Sequence, residues 1–300
     1  MFNRKNDSVP EWASALKKKD YPLFLQAIED YFASRGESYE IGDGVVRIEG
    51  KDQQLGLTNL VQMCAQIGPK DYPTVVAGHF DSIFESWAFM EAFDKTVGDF
   101  EKTKGYIGVR LYDSDYVATL GEGIVSRPFA GSLVATLVYD FPQAIITVPR
   151  GDTEKWGQAE NDLFSLGKEN IHNAYNLEVE EVNMGDDAIY VVGSDHPFAS
   201  NALLEIEEHG EWVGKGGAIV AAPTQQGTMI YPVRDLRVMN ALQAFFRMVP
   251  DIYAACPGSL TPEVFWYHNG EYEPLSYTSG RKPSFFPSES FLAMLNEGLA

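Results

Sequence analysis

The stretch AIYVVGSDHPFASNALLEIEEHGEWVGKGGAIVAAPTQQGTMIYPV, residues 188–233, decides the fold. A short apolar run (188–192) meets a polar knot of Gly193, Ser194, Asp195, His196 and Pro197. An amphipathic segment at 198–208 reads as a helix, a glycine-rich turn follows, and two further apolar runs occupy 217–222 and 228–233. Short apolar runs bounded by turn residues are strand signals, so the order is strand, loop, helix, strand, strand.

Outward from this stretch the same alternation recurs. Residues 39–49 hold two β-like runs around Gly42-Asp43-Gly44, and 132–140 and 143–148 join through Phe141-Pro142. Residues 264–267 and 271–275 flank His268-Asn269-Gly270, and Asn-Gly is the strongest short hairpin turn. YIGVRLY (106–112) is strand-like, with Arg110 in its middle. Helical spacing covers 11–33, 55–66, 75–90, 152–176 (with Thr153 as its cap) and 236–248, the last ended by Pro250. Paired strands separated by helices predict an α+β fold: paired antiparallel strands in mixed sheets, flanked by helices. The chain divides into a helix-rich N-terminal part with one hairpin, 1–100, and a main α+β domain, 101–300.

Three hundred residues with 45% apolar and 22% charged content make a globular chain with a sizeable core. The formal net charge of -20 is the unusual total. It argues against binding of nucleic acid, which needs clustered Lys and Arg, and against anionic membrane surfaces. The excess is local. Fifteen carboxylates face two lysines in the acidic segment 151–212. This is a solvated face or a docking surface for a basic protein partner, with Glu178, Glu180 and Glu181 at its centre. Cys64 and Cys256 form no CxxC pair, and the N-terminus shows no apolar leader; both features fit a cytoplasmic protein.

The knot at 193–196 is the first candidate site. A strand-to-helix turn presents free backbone N–H groups and holds an anion, and Ser194 or Asp195 equally caps a helix. Chemistry there would use His196 as acid or base with Ser200 or Ser194 as nucleophile and Asp195 beside them. No G-x-S-x-G elbow surrounds either serine. Arg110 is the second candidate: in an apolar strand it must pair or point outward, and Asp113 or Asp115 are local partners. The binding set is Arg110, Asp113, Ser194 and Asn201, with Glu178, Glu180 and Glu181. His79, His172, His196, His209 and His268 are scattered, without HExxH or HxH, so no metal and no cofactor are expected. Gly214-Lys215-Gly216-Gly217 lacks the phosphate-loop order and reads as a turn.

Three segments carry a family resemblance. VVRIEGKD (45–52) precedes an apolar helix, YDFPQAIITV (139–148) leads to a Glu-Lys-Trp-Gly helix start, and GSDHPFASNALL (193–204) is followed by GAIVAAPTQQGTMIYPV (217–233). Together they resemble the YtpQ-type family of bacterial proteins, a domain family of unknown function, over about residues 39–275. The chain departs from that pattern at His196-Pro197, where the family often has Gly-Tyr. It departs again at Gln225-Gln226-Gly227, where the family often carries Asp. The resemblance implies fold more than reaction. The expected function is a non-catalytic binding or regulatory module that engages a protein or a small anion. The alternatives are a hydrolase or transferase using Asp195, His196 and Ser200, and an acidic mimic of nucleic acid.

Overall fold

The computed structural model describes residues 9–50, 54–142, 144–184, 187–256, 258–280 and 283–298. Lys51-Asp52, Gln143, Asp186 and Pro257 lie outside the described residues, as do residues 1–8. The chain forms two compact units, Met1–Lys95 and Thr96–Ala300. Among the described residues every strand pair is antiparallel, and helices flank the sheets, so the fold is α+β. No helix among them is long and apolar enough to cross a membrane. Both cysteines are free, Cys64 buried and Cys256 exposed.

The first unit runs α1 (Tyr21–Arg35), β1 (Tyr39–Gly42), β2 (Val45–Ile48), β3 (Gln54–Gly56), α2 (Thr58–Ala65) and α3 (Tyr72–Asp94). Phe24, Ile28, Phe32, Leu60, Val76 and Phe80 fill its core. The β1–β2 turn uses Asp43 (φ 52) and Gly44 (φ 74), the left-handed pair of a tight hairpin. A Cβ on Gly44 would stand 2.9 Å from the Trp12 ring. Two helical readings change here. The pattern at 11–33 is a short 3-10 turn at Glu11–Ala13 and then α1, because Pro22 sits in a first turn, where its missing N–H costs nothing. The pattern at 55–66 begins as β3, since Leu55 pairs with Val46 and buries in the sheet, and only then becomes helical.

The second unit opens with α4 (Phe100–Thr103), β4 (Ile107–Asp113), α5 (Ser114–Leu120), β5 (Ser126–Ala130), β6 (Leu133–Phe141) and β7 (Ala144–Thr147). These strands make one sheet in the order β4-β6-β5, with β7 also on β6. Next come α6 (Arg150–Trp156), α7 (Glu160–Ala174), β8 (Glu178–Met184), β9 (Asp187–Gly193), β10 (Ala218–Thr224), β11 (Gly227–Pro232) and α8 (Val238–Ala255). The chain closes with β12 (Phe265–His268), β13 (Glu271–Pro274), β14 (Ser276–Thr278), β15 (Ser284–Phe286) and α9 (Glu289–Ala293). The principal sheet has six strands in the order β13-β12-β10-β11-β9-β8. The 188–233 stretch thus supplies three adjacent strands at its centre, and the Asn269-Gly270 hairpin supplies β12 and β13 with both turn residues at positive φ.

Four local readings are corrected. The 198–208 segment is not an α-helix but a run of 3-10 turns, Ala199–Leu204, Ile206–Glu208 and Gly210–Trp212. Ala199 to Leu203 are all buried and only Glu207 and Glu208 at its end are exposed, so the first half of the segment has no solvent face; its Ser200 amide and Asn201 side chain bond outward to Gln225 and to β4. Residues 178–184 of the acidic segment, where no strand is expected, form β8, because β9 offers them a full antiparallel ladder. The long helix at 152–176 breaks at Gly157 (φ 62) into α6 and α7, and Thr153 donates to the Arg150 carbonyl inside α6 rather than capping. Pro250 lies within α8, which continues to Ala255; the packed stripe Val238, Ala241, Leu242, Phe245, Phe246 and Val249 holds the helix on the sheet through the one lost hydrogen bond. Leu236 and Met239 stay outside that stripe and are exposed.

Candidate functional site

The site is built on a free edge. β4 pairs with β6 on one side only, so alternate carbonyls on its other side need donors. Two side-chain amides supply them. Asn201 Nδ2 donates to the Val109 carbonyl at 2.7 Å, and Gln225 Nε2 donates to the Leu111 carbonyl at 2.8 Å. Asn201 comes from the 3-10 run and Gln225 from the β10–β11 turn, so two separate points of the 188–233 stretch are tied to β4. Both side chains are buried.

Arg110 stands between those two carbonyls on the same strand. Its Nε donates to Gln225 Oε1 at 3.2 Å, and its Nη1 donates to the Tyr112 hydroxyl at 3.2 Å. The guanidinium lies 5.0 Å from the centre of the Tyr112 ring and 5.9 Å from that of Phe198. Among the described residues Arg110 forms no ion pair. The expected partners fail for a geometric reason. Asp113 is three residues away, and alternation along a strand puts it on the opposite face. Its carboxylate instead caps α5 by accepting the Asp115 amide at 2.8 Å, and Asp115 lies in that helix.

Beside Arg110 is a half-buried corner of Asp140, Tyr175, His196 and Phe198. Tyr175 donates to Asp140 Oδ2 at 2.7 Å, and its ring packs on His196 (centroids 4.6 Å apart) and Phe198 (5.0 Å). Burial pushes the Asp140 carboxyl above its ordinary range; the Tyr175 hydrogen bond and, more weakly, the Arg110 charge oppose that rise. Burial and the bond to Asp140 both push the Tyr175 hydroxyl upward. Burial raises the Tyr112 phenol as well, against the pull of Arg110.

The expected catalytic set is not linked. His196 Nδ1 accepts the Phe198 amide at 3.2 Å, so Nε2 carries the proton and donates to the Asn176 carbonyl at 3.2 Å. Both ring nitrogens are therefore engaged with backbone. Ser200 is fully buried and donates to Gln225 Oε1 at 3.2 Å. Asp195 is exposed, and among the described residues no hydrogen bond joins it to His196 or Ser200. Ser194 Oγ accepts the His196 amide at 3.1 Å, a serine turn that shapes the loop. Glu178, Glu180 and Glu181 are exposed on β8, the outer strand of the six-stranded sheet.

So the fold joins Arg110, Ser200 and Asn201 with Gln225, and leaves Asp113, Ser194, Asp195 and the β8 carboxylates apart from them. Asp140 and Tyr175 carry no sequence signal for this corner, and neither Tyr112 nor Gln225, which marks a departure from the family pattern, is expected to hold Arg110. The period of two along β4, which puts Tyr112 on the face of Arg110, was the available signal for one of them.

A second polar group lies where α7 meets the 3-10 run. Lys168 and His172, one turn apart on α7, contact Glu208 at 2.6 Å and Glu205 at 3.0 Å. Donor atoms of His172, Glu205 and Glu208 all lie within 4.8 Å of one another, a convergence that no local motif announces. Compared with known proteins, the chain matches no family model, no curated protein and no solved structure.

Proposed function

We propose that the chain is a non-catalytic binding module that takes a small carboxylate or phosphate on Arg110. One observation carries this reading: a half-buried guanidinium oriented by Gln225, Tyr112 and two aromatic faces, without a carboxylate in ion-pair contact among the described residues. An arginine with its fork held by neutral groups keeps donors and charge for an incoming anion. The bonds made by His196 and Ser200 favour binding over chemistry, since a nucleophile needs a base at its proton and Ser200 gives that proton to an amide. The YtpQ-type resemblance and a bacterial cytoplasmic setting belong to the same proposal.

Thermal melts of the full chain with inorganic phosphate, acetate or citrate test it. At least one anion raises the melting temperature of the wild type, and Arg110→Met abolishes that rise while Glu178→Gln keeps it. No stabilisation by any of the three, or equal stabilisation of Arg110→Met, defeats the reading.

The acidic edge supports a second reading, a basic partner that adds to β8. Its support is an exposed outer strand carrying Glu178, Glu180 and Glu181. Retention of the wild type on immobilised oligolysine, lost when all three become Lys, is the expected result. Unchanged retention of the triple variant removes this edge as the docking surface.

A further inference from the structure

We infer that His172, Glu205 and Glu208 form a binding site for one divalent transition-metal ion of the zinc class, beside the last turn of α7. Glu205 is the buried member of the three. Its side chain is 4% exposed, and its one side-chain partner among the described residues is His172 Nδ1 at 3.0 Å. A carboxylate held that far from water needs strong compensation. A single imidazole nitrogen on a side chain that is itself 54% exposed supplies little of it.

The backbone places the two carboxylates together. The Glu208 amide bonds the Glu205 carbonyl at 2.8 Å, so the pair is spaced by three residues on a 3-10 turn. Side chains at that spacing eclipse one another. The last turn of α7 brings His172 against them. Three atoms at most 4.8 Å apart can all lie within about 2.8 Å of a common centre. Closing each to the 2.0–2.2 Å of zinc–nitrogen and zinc–oxygen bonds takes about 0.7 Å of side-chain motion. The 3.0 Å between His172 and Glu205 is within about 0.4 Å of the roughly 3.4 Å that separates two donors about 2.1 Å from a tetrahedral ion.

The donor chemistry selects the ion class. One imidazole with two carboxylates suits zinc and its first-row neighbours better than calcium, which takes only oxygen. Three protein ligands leave at least one coordination position for water or another molecule. Glu208 also lines a cleft of about 360 Å³, whose wall includes Arg127, Ser165, Lys168 and Tyr272.

Lys168 is the competitor. Its ammonium sits on Glu208 at 2.6 Å and is 35% exposed, on a flexible stem that can swing outward. The two alternatives, a metal site and a plain pair of ion pairs, therefore predict opposite responses to removing this lysine.

Co²⁺ titration of the full chain, followed by visible absorption and calorimetry, decides between them. The wild type binds one equivalent with a nitrogen-dependent absorption band, and Zn²⁺ displaces it. His172→Ala and Glu208→Gln each weaken binding by about tenfold or more. Lys168→Met tightens binding severalfold by removing the competing charge. Circular dichroism of the metal-free variants verifies that they are folded, and Glu205→Gln gives a near-isosteric control should an alanine variant fail to fold. Absence of a one-equivalent complex overturns the proposal, as do wild-type affinity in both His172→Ala and Glu208→Gln or weaker binding by Lys168→Met.

Discussion

His196 Nδ1 accepts the backbone amide of Phe198, and this bond fixes which nitrogen of the ring holds the proton. The neutral imidazole is the Nε2–H form, donating to the Asn176 carbonyl. Nitrogen-15 shifts of the ring check this directly. His196→Ala removes both bonds and leaves the Phe198 amide without its acceptor, an expected loss of about 1–2 kcal/mol in urea unfolding. His196→Asn, whose side-chain oxygen can replace Nδ1, recovers part of that loss. Equal stability of the alanine and wild-type proteins would show the ring to be a bystander.

Gln225 holds more than any other polar side chain at the site. Its oxygen accepts from Arg110 and Ser200, and its nitrogen satisfies the exposed edge of β4. Gln225→Leu strands the Leu111 carbonyl and the Ser200 hydroxyl in a buried setting, with an expected cost of about 2–3 kcal/mol. Ser200→Ala leaves the amide with its other partners and costs about 1 kcal/mol. Reversal of that order in denaturant midpoints would contradict the network.

Asp140 gives the fold a pH dependence of unusual sign for a carboxylate. Its pKa in the folded chain lies above the ordinary 3.8, chiefly through burial. Between those two values the native state holds a proton that the unfolded chain has lost. Stability therefore falls as pH rises through that window, and the full penalty stands above it. Asp140→Asn keeps an acceptor for Tyr175 and removes the buried charge, so it stabilises the protein at neutral pH and has little effect below the window. Tyr175→Phe deletes a bond that favours the charged form, and carboxyl NMR should find Asp140 shifted further up. A downward shift would refute the assignment.

Gly108 and Gly167 let α7 lie directly on β4. A Cβ on Gly167 would stand 2.8 Å from the Gly108 carbonyl carbon, and backbone cannot yield as a side chain can. Alanine is the better helix former by about 1 kcal/mol, yet overpacking against main chain costs more. Gly167→Ala should lower stability by about 2 kcal/mol net, read from the urea midpoint. A gain would mean that the helix slides freely.

Strand pairing was the readable part of this fold. The runs at 217–222 and 228–233 are β10 and β11, and Asn269-Gly270 turns β12 into β13, because turn chemistry and apolar runs are local properties. What was not readable depends on partners far away in the chain. The 198–208 segment carries a helical pattern, but burial of Phe198 to Leu203 and bonds to Val109 and Gln225 override it. Glu178 to Met184 looks like solvent-exposed connection until β9 offers it a ladder. The site divides the same way. Arg110 stood out as a charge in an apolar strand, while Gln225, 115 residues later, stood out only as a departure from the family pattern and carried no mark of its bond to Arg110.

The open edge at β8 has a consequence for the behaviour of the protein in bulk. Two copies meeting edge to edge would align two sets of Glu178, Glu180 and Glu181 along one ladder. Glu178 and Glu180 moreover share the strand face of Val182, which packs against the core under α8. Charge in that position is a gatekeeper against sheet growth. Repulsion between the two sets opposes that pairing. Glu178→Gln, Glu180→Gln and Glu181→Gln together remove it and leave an unpaired edge, so light scattering of that triple variant should show self-association while circular dichroism still reports a folded core.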